Sequence, residues 1–317
     1  MTTDTILAPA ARATHTVGVP SALRAALGRR GALQWRLLLW WVLLLLLPTV
    51  VATLPLWQML SASLDHSPYA ARLAERLDMI AFADLIDAAK DRHAPALGAG
   101  GIVGLMLTLL LSPLLSGMAV AAARAQRAPG FGALLADGMQ WYPRLARMLA
   151  WSVVPLGVAG LLGAEAYRLA GKAAGTALLE SDAQRASFLA MLATAALLVL
   201  AHATVDAGRA VLAGDHRRRS AVAAWWRGCG LLLRRPLALL GTYVVVTTIG
   251  LVVAGVLALV RTRVPALGTL GTIGAVVLAQ LVVLVLGWMR AARLMALAAL
   301  VRRVGCPPNA TGKDRLP

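Results

Sequence analysis

Six apolar runs of about 20 residues, parted by short polar or charged segments, constrain this chain more than any other feature. Residues 37–47, LLLWWVLLLLL, carry only two indole N–H groups among their side chains. A stretch of that kind is stable in hydrocarbon only as a helix, where every backbone polar group is bonded internally. Hydrophobic residues make up 59% and charged residues 14% of the 317. A soluble domain carries about a quarter charged residues. The reading is therefore all-α, a polytopic integral membrane protein.

The expected spans cover about 36–58, 97–121, 145–164, 186–207, 237–260 and 266–289. Residues 1–19 read as a loose cytoplasmic tail, 20–303 as the six-span membrane domain and 304–317 as a second cytoplasmic tail. Short amphipathic stretches before the first, third and fifth spans, including 131–141, read as elbow helices on the cytoplasmic membrane surface. The segment 59–96 holds six acids and four bases and is placed in the periplasm. There an amphipathic helix begins at Ser67 and Pro68, as a cap over the bundle or as a docking site for an extracytoplasmic partner. Residues 165–185 are expected to form an outer loop, and 261–265 a tight outer turn. In GAGGIVG, Gly100 and Gly104 suit close helix packing.

Charge sets the orientation. With both termini inside, the inner segments hold 22 of the 31 Lys and Arg and 5 of the 14 acids, so the whole formal net charge of +17 lies inside. Eight of the nine tryptophans lie toward the same face. The basic residues alternate with apolar runs instead of gathering on a soluble face, so no nucleic-acid partner is expected. Arginine outnumbers lysine 28 to 3, a bias that fits a GC-rich bacterial genome. Cys229 and Cys306, the only cysteines, fall in cytoplasmic segments and imply no disulfide framework. No cleavable signal is expected before the first span, which would serve as an uncleaved one. The location is a bacterial inner membrane.

Two groups of residues are candidates for function. His202, Asp206 and Arg209 lie at i, i+4 and i+7 on one side of the fourth span. Charge at that depth is costly, so the group is either a proton or ion relay or a structural Asp206–Arg209 pair, the simpler account. Between the fourth and fifth spans, Arg217, Arg218, Arg219, Arg227, Arg234 and Arg235 surround an apolar stripe at Val222, Trp225, Trp226, Cys229 and Leu233. That stretch is expected to rest on anionic membrane lipids, or to hold a membrane or cytoplasmic protein partner. Gln280 is expected to bond to a neighbouring helix. No HExxH, Walker loop, CxxC or nucleophile elbow occurs, and no catalytic, cofactor-binding or metal-binding residues are assigned.

The ends of the even-numbered spans align as GMAVAAAR (117–124), HATVDAGR (202–209) and LGWMRAAR (286–293). Three pseudo-repeated hairpins are the expectation. From residue 206 the pattern D-x-G-R, then Ser220 and Trp225 as S-x-x-x-x-W, then Arg234-Arg235-Pro236 and a long apolar run, resembles bacterial six-helix proteins related to the glycerophosphodiester phosphodiesterase membrane domain. The resemblance covers mainly residues 117–259 and carries over no catalytic residue, because the soluble phosphodiesterase domain is absent. It implies a membrane bundle without its own hydrolase. The expected role is nonenzymatic, in transport or membrane homeostasis. The alternatives are a permease subunit served by a separate ATPase, and an intramembrane enzyme acting on lipid.

Overall fold

The computed structural model describes residues 34–64, 83, 87, 90, 93–125, 129–176, 179–214, 220–264 and 268–305. The chain forms α1 (Trp35–Leu64), α2 (Ala94–Arg124), α3 (Phe131–Thr176), α4 (Glu180–Gly214), α5 (Ala221–Arg234), α6 (Pro236–Arg263) and α7 (Gly268–Gly305). All but α5 are long and apolar enough to cross a membrane. Residues 65–82, with most of the amphipathic segment after Ser67, the Arg217–Arg219 cluster, the first tail and residues 306–317 of the second lie outside the described residues.

The helices run past their expected limits. A separate surface helix at 131–141, a short span and an outer loop at 165–185 are replaced by one helix of 46 residues, α3. Pro143 and Pro155 sit inside it. A proline removes one ladder bond, yet the helix runs on through both. Tyr142 donates to the Leu110 carbonyl of α2 at 3.1 Å, and Arg147 Nε donates to the Pro143 carbonyl at 3.0 Å. Beyond residue 164 the alanines and the Arg168–Glu165 ion pair, three residues apart, continue the helix. The α4 helix starts at Glu180 instead of near 186, with Glu180 and Asp182 in its first turn, where carboxylates meet the positive end of the helix dipole. The expected turn at 261–265 is shortened because α6 continues through Arg263.

Consecutive helices pack antiparallel, and small residues set how close they come. A Cβ on Gly100 would lie 2.6 Å from Pro55, and one on Gly104 2.7 Å from Ala52, so α1 and α2 meet through the expected glycines. Gly163 faces Thr194 between α3 and α4, and Gly250 faces Met289 between α6 and α7. These contacts zip the helices pairwise. The pairs converge at the end where α1 begins, α2 and α4 end, and α5 lies. This is called the basic end below. There Leu37, Leu115, Met118, Leu134, Val246 and Leu297 are almost wholly buried in a shared core. The second half of α7 runs through that core, and residues 291–298 are all buried. Arg124 Nη1 donates to the Ala213 carbonyl at 2.9 Å, joining the ends of α2 and α4. Trp40 Nε1 donates to the Phe131 carbonyl at 3.2 Å, joining α1 to α3.

Two glycine pairs stand at this end. A Cβ on Gly117 of α2 would lie 2.6 Å from the Gly138 carbonyl of α3, and one on Gly228 of α5 would lie 2.6 Å from the Gly208 nitrogen of α4. Backbone therefore rests on backbone at both places, which any larger residue prevents. Gln280 departs from expectation. Its side-chain oxygen is buried and, among the described residues, makes no hydrogen bond.

Candidate functional site

A carboxylate in the core of an apolar bundle must be paired, and Asp206 is paired twice. Only 4% of the residue is exposed. Arg209 lies three residues on, nearly one helical turn, and its Nη1 donates to Asp206 Oδ1 at 2.9 Å. Arg293 reaches across from α7, and its Nε lies 2.6 Å from Asp206 Oδ2. Each carboxylate oxygen therefore faces its own guanidinium.

Arg293 is held by a third helix as well. Its Nη1 donates to Thr247 Oγ1 of α6 at 3.3 Å, and its guanidinium carbon lies 4.6 Å from the centre of the Tyr243 ring. A guanidinium over an aromatic face gains a cation–π attraction in addition to its ion pair. One side chain thus ties α4, α6 and α7 together. The ring of His202, one turn before Asp206, stands edge-on to Tyr243 with centroids 6.4 Å apart. Among the described residues it makes no hydrogen bond to Asp206. The three residues singled out by spacing share one face, but the connected network is Asp206, Arg209, Arg293, Thr247 and Tyr243.

Arg293 and its neighbour Arg290 were not among the sequence candidates. The signal for Arg293 was present: in the aligned span ends it occupies the position of Arg209. Arg290, three residues earlier, lines a recess with Trp41 of α1, Ser116 of α2, Asp206, Arg209 and Arg293. Asp206 is the only acid on that wall.

The α5 helix presents two faces. Ser220 caps its start, accepting a hydrogen bond from the Ala223 N–H at 3.3 Å. Ala221, Ala224, Gly228 and Leu232 are buried at helical spacing. Trp225 belongs with that face, contrary to its grouping with the lipid-facing stripe. Its Nε1 donates to Thr204 Oγ1 at 3.1 Å, and its ring stands edge-on to Trp151 at 5.8 Å. The Gly208–Gly228 contact draws α5 close enough for the indole to reach α4. The stripe that remains outward is Val222, Trp226 at 64% exposure and Leu233 at 82%. Arg227, Arg234 and Arg235 are also exposed. Cys229 is half-buried, and burial pushes its thiol up from the ordinary value.

Among the described residues no group of three or more His, Cys, Asp or Glu is placed to hold a metal ion. Comparison with known proteins adds no relative: no protein-family model, curated protein or solved structure matches the chain.

Proposed function

We propose that this chain is a nonenzymatic six-span protein of a bacterial inner membrane, acting in transport or membrane homeostasis with both termini in the cytoplasm. The observation that carries the nonenzymatic reading is the double pairing of Asp206. Both of its oxygens are engaged by arginines from two helices, 2.9 and 2.6 Å away. A carboxylate so held is a fixed pin between helices, poorly placed to take a proton from a substrate.

The basic end fits the surface of an anionic leaflet. Trp226 and Leu233 lie outward beside Arg227, Arg234 and Arg235, the mix of apolar and cationic groups that rests at a headgroup boundary. Support for three repeated hairpins comes from the helix pairs and from a small residue near the end of each even span. Gly117 meets Gly138, Gly208 meets Gly228, and Gly287 meets the Trp41 ring. The resemblance to the phosphodiesterase membrane domain belongs to the same proposal, resting on Asp206, Arg209, Ser220, Trp225 and Pro236.

Native nanodisc extraction of the tagged protein tests the role, followed by mass spectrometry of its lipids and crosslinked proteins. Wild type is compared with the triple substitution Arg217→Gln, Arg218→Gln and Arg219→Gln. Enrichment of anionic lipid that falls in the triple variant is the expected result. A P-loop ATPase crosslinked to the basic end overturns this reading for that of a permease subunit. Orientation is read separately, by a reporter fused after Pro317 that should be active in the cytoplasm only.

A further inference from the structure

The recess beside Asp206 holds more cation than its own chemistry uses. Three guanidiniums, from Arg209, Arg290 and Arg293, line it with one carboxylate. Arg209 and Arg293 are each committed to Asp206. Arg290 makes no ion pair or hydrogen bond among the described residues, although half-buried. Unpaired and only partly screened from water, it is the cation of the recess most available to an anion.

Two further donors stand unused on the same wall. Trp41 is only 3% exposed, and its indole N–H has no hydrogen-bond partner. A buried N–H left unmatched is costly. The Ser116 hydroxyl, half-buried, also makes no hydrogen bond among the described residues. Unpaired groups on three helices thus line the recess, the Trp41 N–H itself closed to solvent, while its one carboxylate is already neutralised. Its open volume of about 20 Å³ admits one water-sized oxygen and excludes a whole headgroup.

We propose that this recess binds a phosphate group, one oxygen entering between Trp41 and Ser116 while Arg290 neutralises the charge at the mouth. Arginine suits this role because its planar, fixed-charge fork matches a phosphate oxyanion. The phosphate comes from an anionic lipid headgroup or from free inorganic phosphate. Only the lipid source rests on the membrane-lipid reading above.

The full chain, delipidated in maltoside micelles that contain no phosphate, is titrated with inorganic phosphate and separately with phosphatidylglycerol. Thermal stability and tryptophan fluorescence are followed at constant ionic strength. Saturable binding is expected, weakened roughly tenfold or more by Arg290→Gln and about threefold by Trp41→Phe, which removes one neutral donor. Arg263→Gln, which takes an equal charge from the exposed far end of α6, is expected to leave affinity unchanged. Unliganded Arg290→Gln should melt no lower than wild type, since an unpaired cation is removed.

Binding of phosphatidylglycerol alone assigns the site to a lipid headgroup. Displacement of that lipid by millimolar phosphate assigns it to the free anion. Equal losses in Arg290→Gln and Arg263→Gln, or no loss in Trp41→Phe, overturn the site in favour of diffuse attraction. Absence of saturable binding by either ligand overturns it as well. A Pro317 reporter active in the periplasm would overturn the orientation and leave the phosphate affinities standing, so the two failures are distinguishable.

Discussion

Leu297 and Leu270 lie on the same helix and have the same side chain, yet the first is buried in the basic-end core and the second is almost fully open. The contrast runs through the molecule. At the basic end all seven helices contribute to one core. Toward the other end Val153, Leu161, Leu189 and Leu259 face outward. Apolar side chains are abundant in both regions, so hydrophobicity does not distinguish them. In lipid it supplies little force between helices, because a hydrocarbon tail is as apolar as leucine. What differs is the set of small and polar contacts. The basic end holds two glycine pairs, a twice-paired carboxylate and carbonyls bonded by Arg124 and Trp40, whereas each outer pair is zipped by one or two glycines.

Removing the carboxylate should break this contrast most strongly. Asp206→Ala leaves Arg209 and Arg293 buried without their counter-charge and is expected to cost about 3–5 kcal/mol, read by thermal unfolding in detergent. The outer counterpart, Glu165→Gln, breaks an exposed pair with Arg168 and should leave the melting temperature where it was. If the two variants melt together, Asp206 is not the pin between helices.

Cavity formation comes next in size. Leu297→Ala opens space in a packed core and should cost about 2–4 kcal/mol, while Leu270→Ala is expected to change little. Glycine substitution sharpens the comparison further. Gly228→Ala drives a Cβ toward the Gly208 backbone, which lies 2.6 Å away, for an expected loss of about 1–3 kcal/mol. Gly160→Ala, where nothing lies within 4 Å, should stabilise slightly through helix propensity. Detergent-resistant folding assayed by limited proteolysis would rank the two.

The smallest effect concerns Cys229. Burial raises its thiol pKa, and the thiolate is the reactive form, so maleimide labelling of a Cys306→Ser variant should rise at higher pH than labelling of a free peptide thiol. A profile that matches the peptide would mean that α5 stands away from α4.

Legibility followed the length scale of each signal. The six crossings were read from apolar runs, and the structure has six helices of that character. Their ends were misplaced, at α3 above all, because Pro143 lies inside a helix that packs against α2 through Gly138 and Tyr142, and the proline does not stop it. The Asp206–Arg209 pair was legible because it is local, three residues on one helix. Arg293 was visible only as the last residue of a repeated pattern, with nothing in that pattern naming its partner. Trp225 and Trp226 are adjacent and chemically alike, and only the approach of Gly228 to Gly208 turns one inward and the other outward.

The amino-acid sequence by itself determined that this chain spans a lipid phase as helices, because unpaired backbone in hydrocarbon leaves no other solution for runs of that length. It also determined where charge concentrates along the chain. The tertiary structure alone decided which charges meet: Arg293 comes to Asp206 from 87 residues away, while Arg290, three residues before it, lines the same recess unpaired. The physical reason is that a helix dictates its own periodicity but not the rotation and depth at which it meets another. Those are set by where small residues allow two backbones to touch and by which guanidinium then lies within reach of a buried carboxylate.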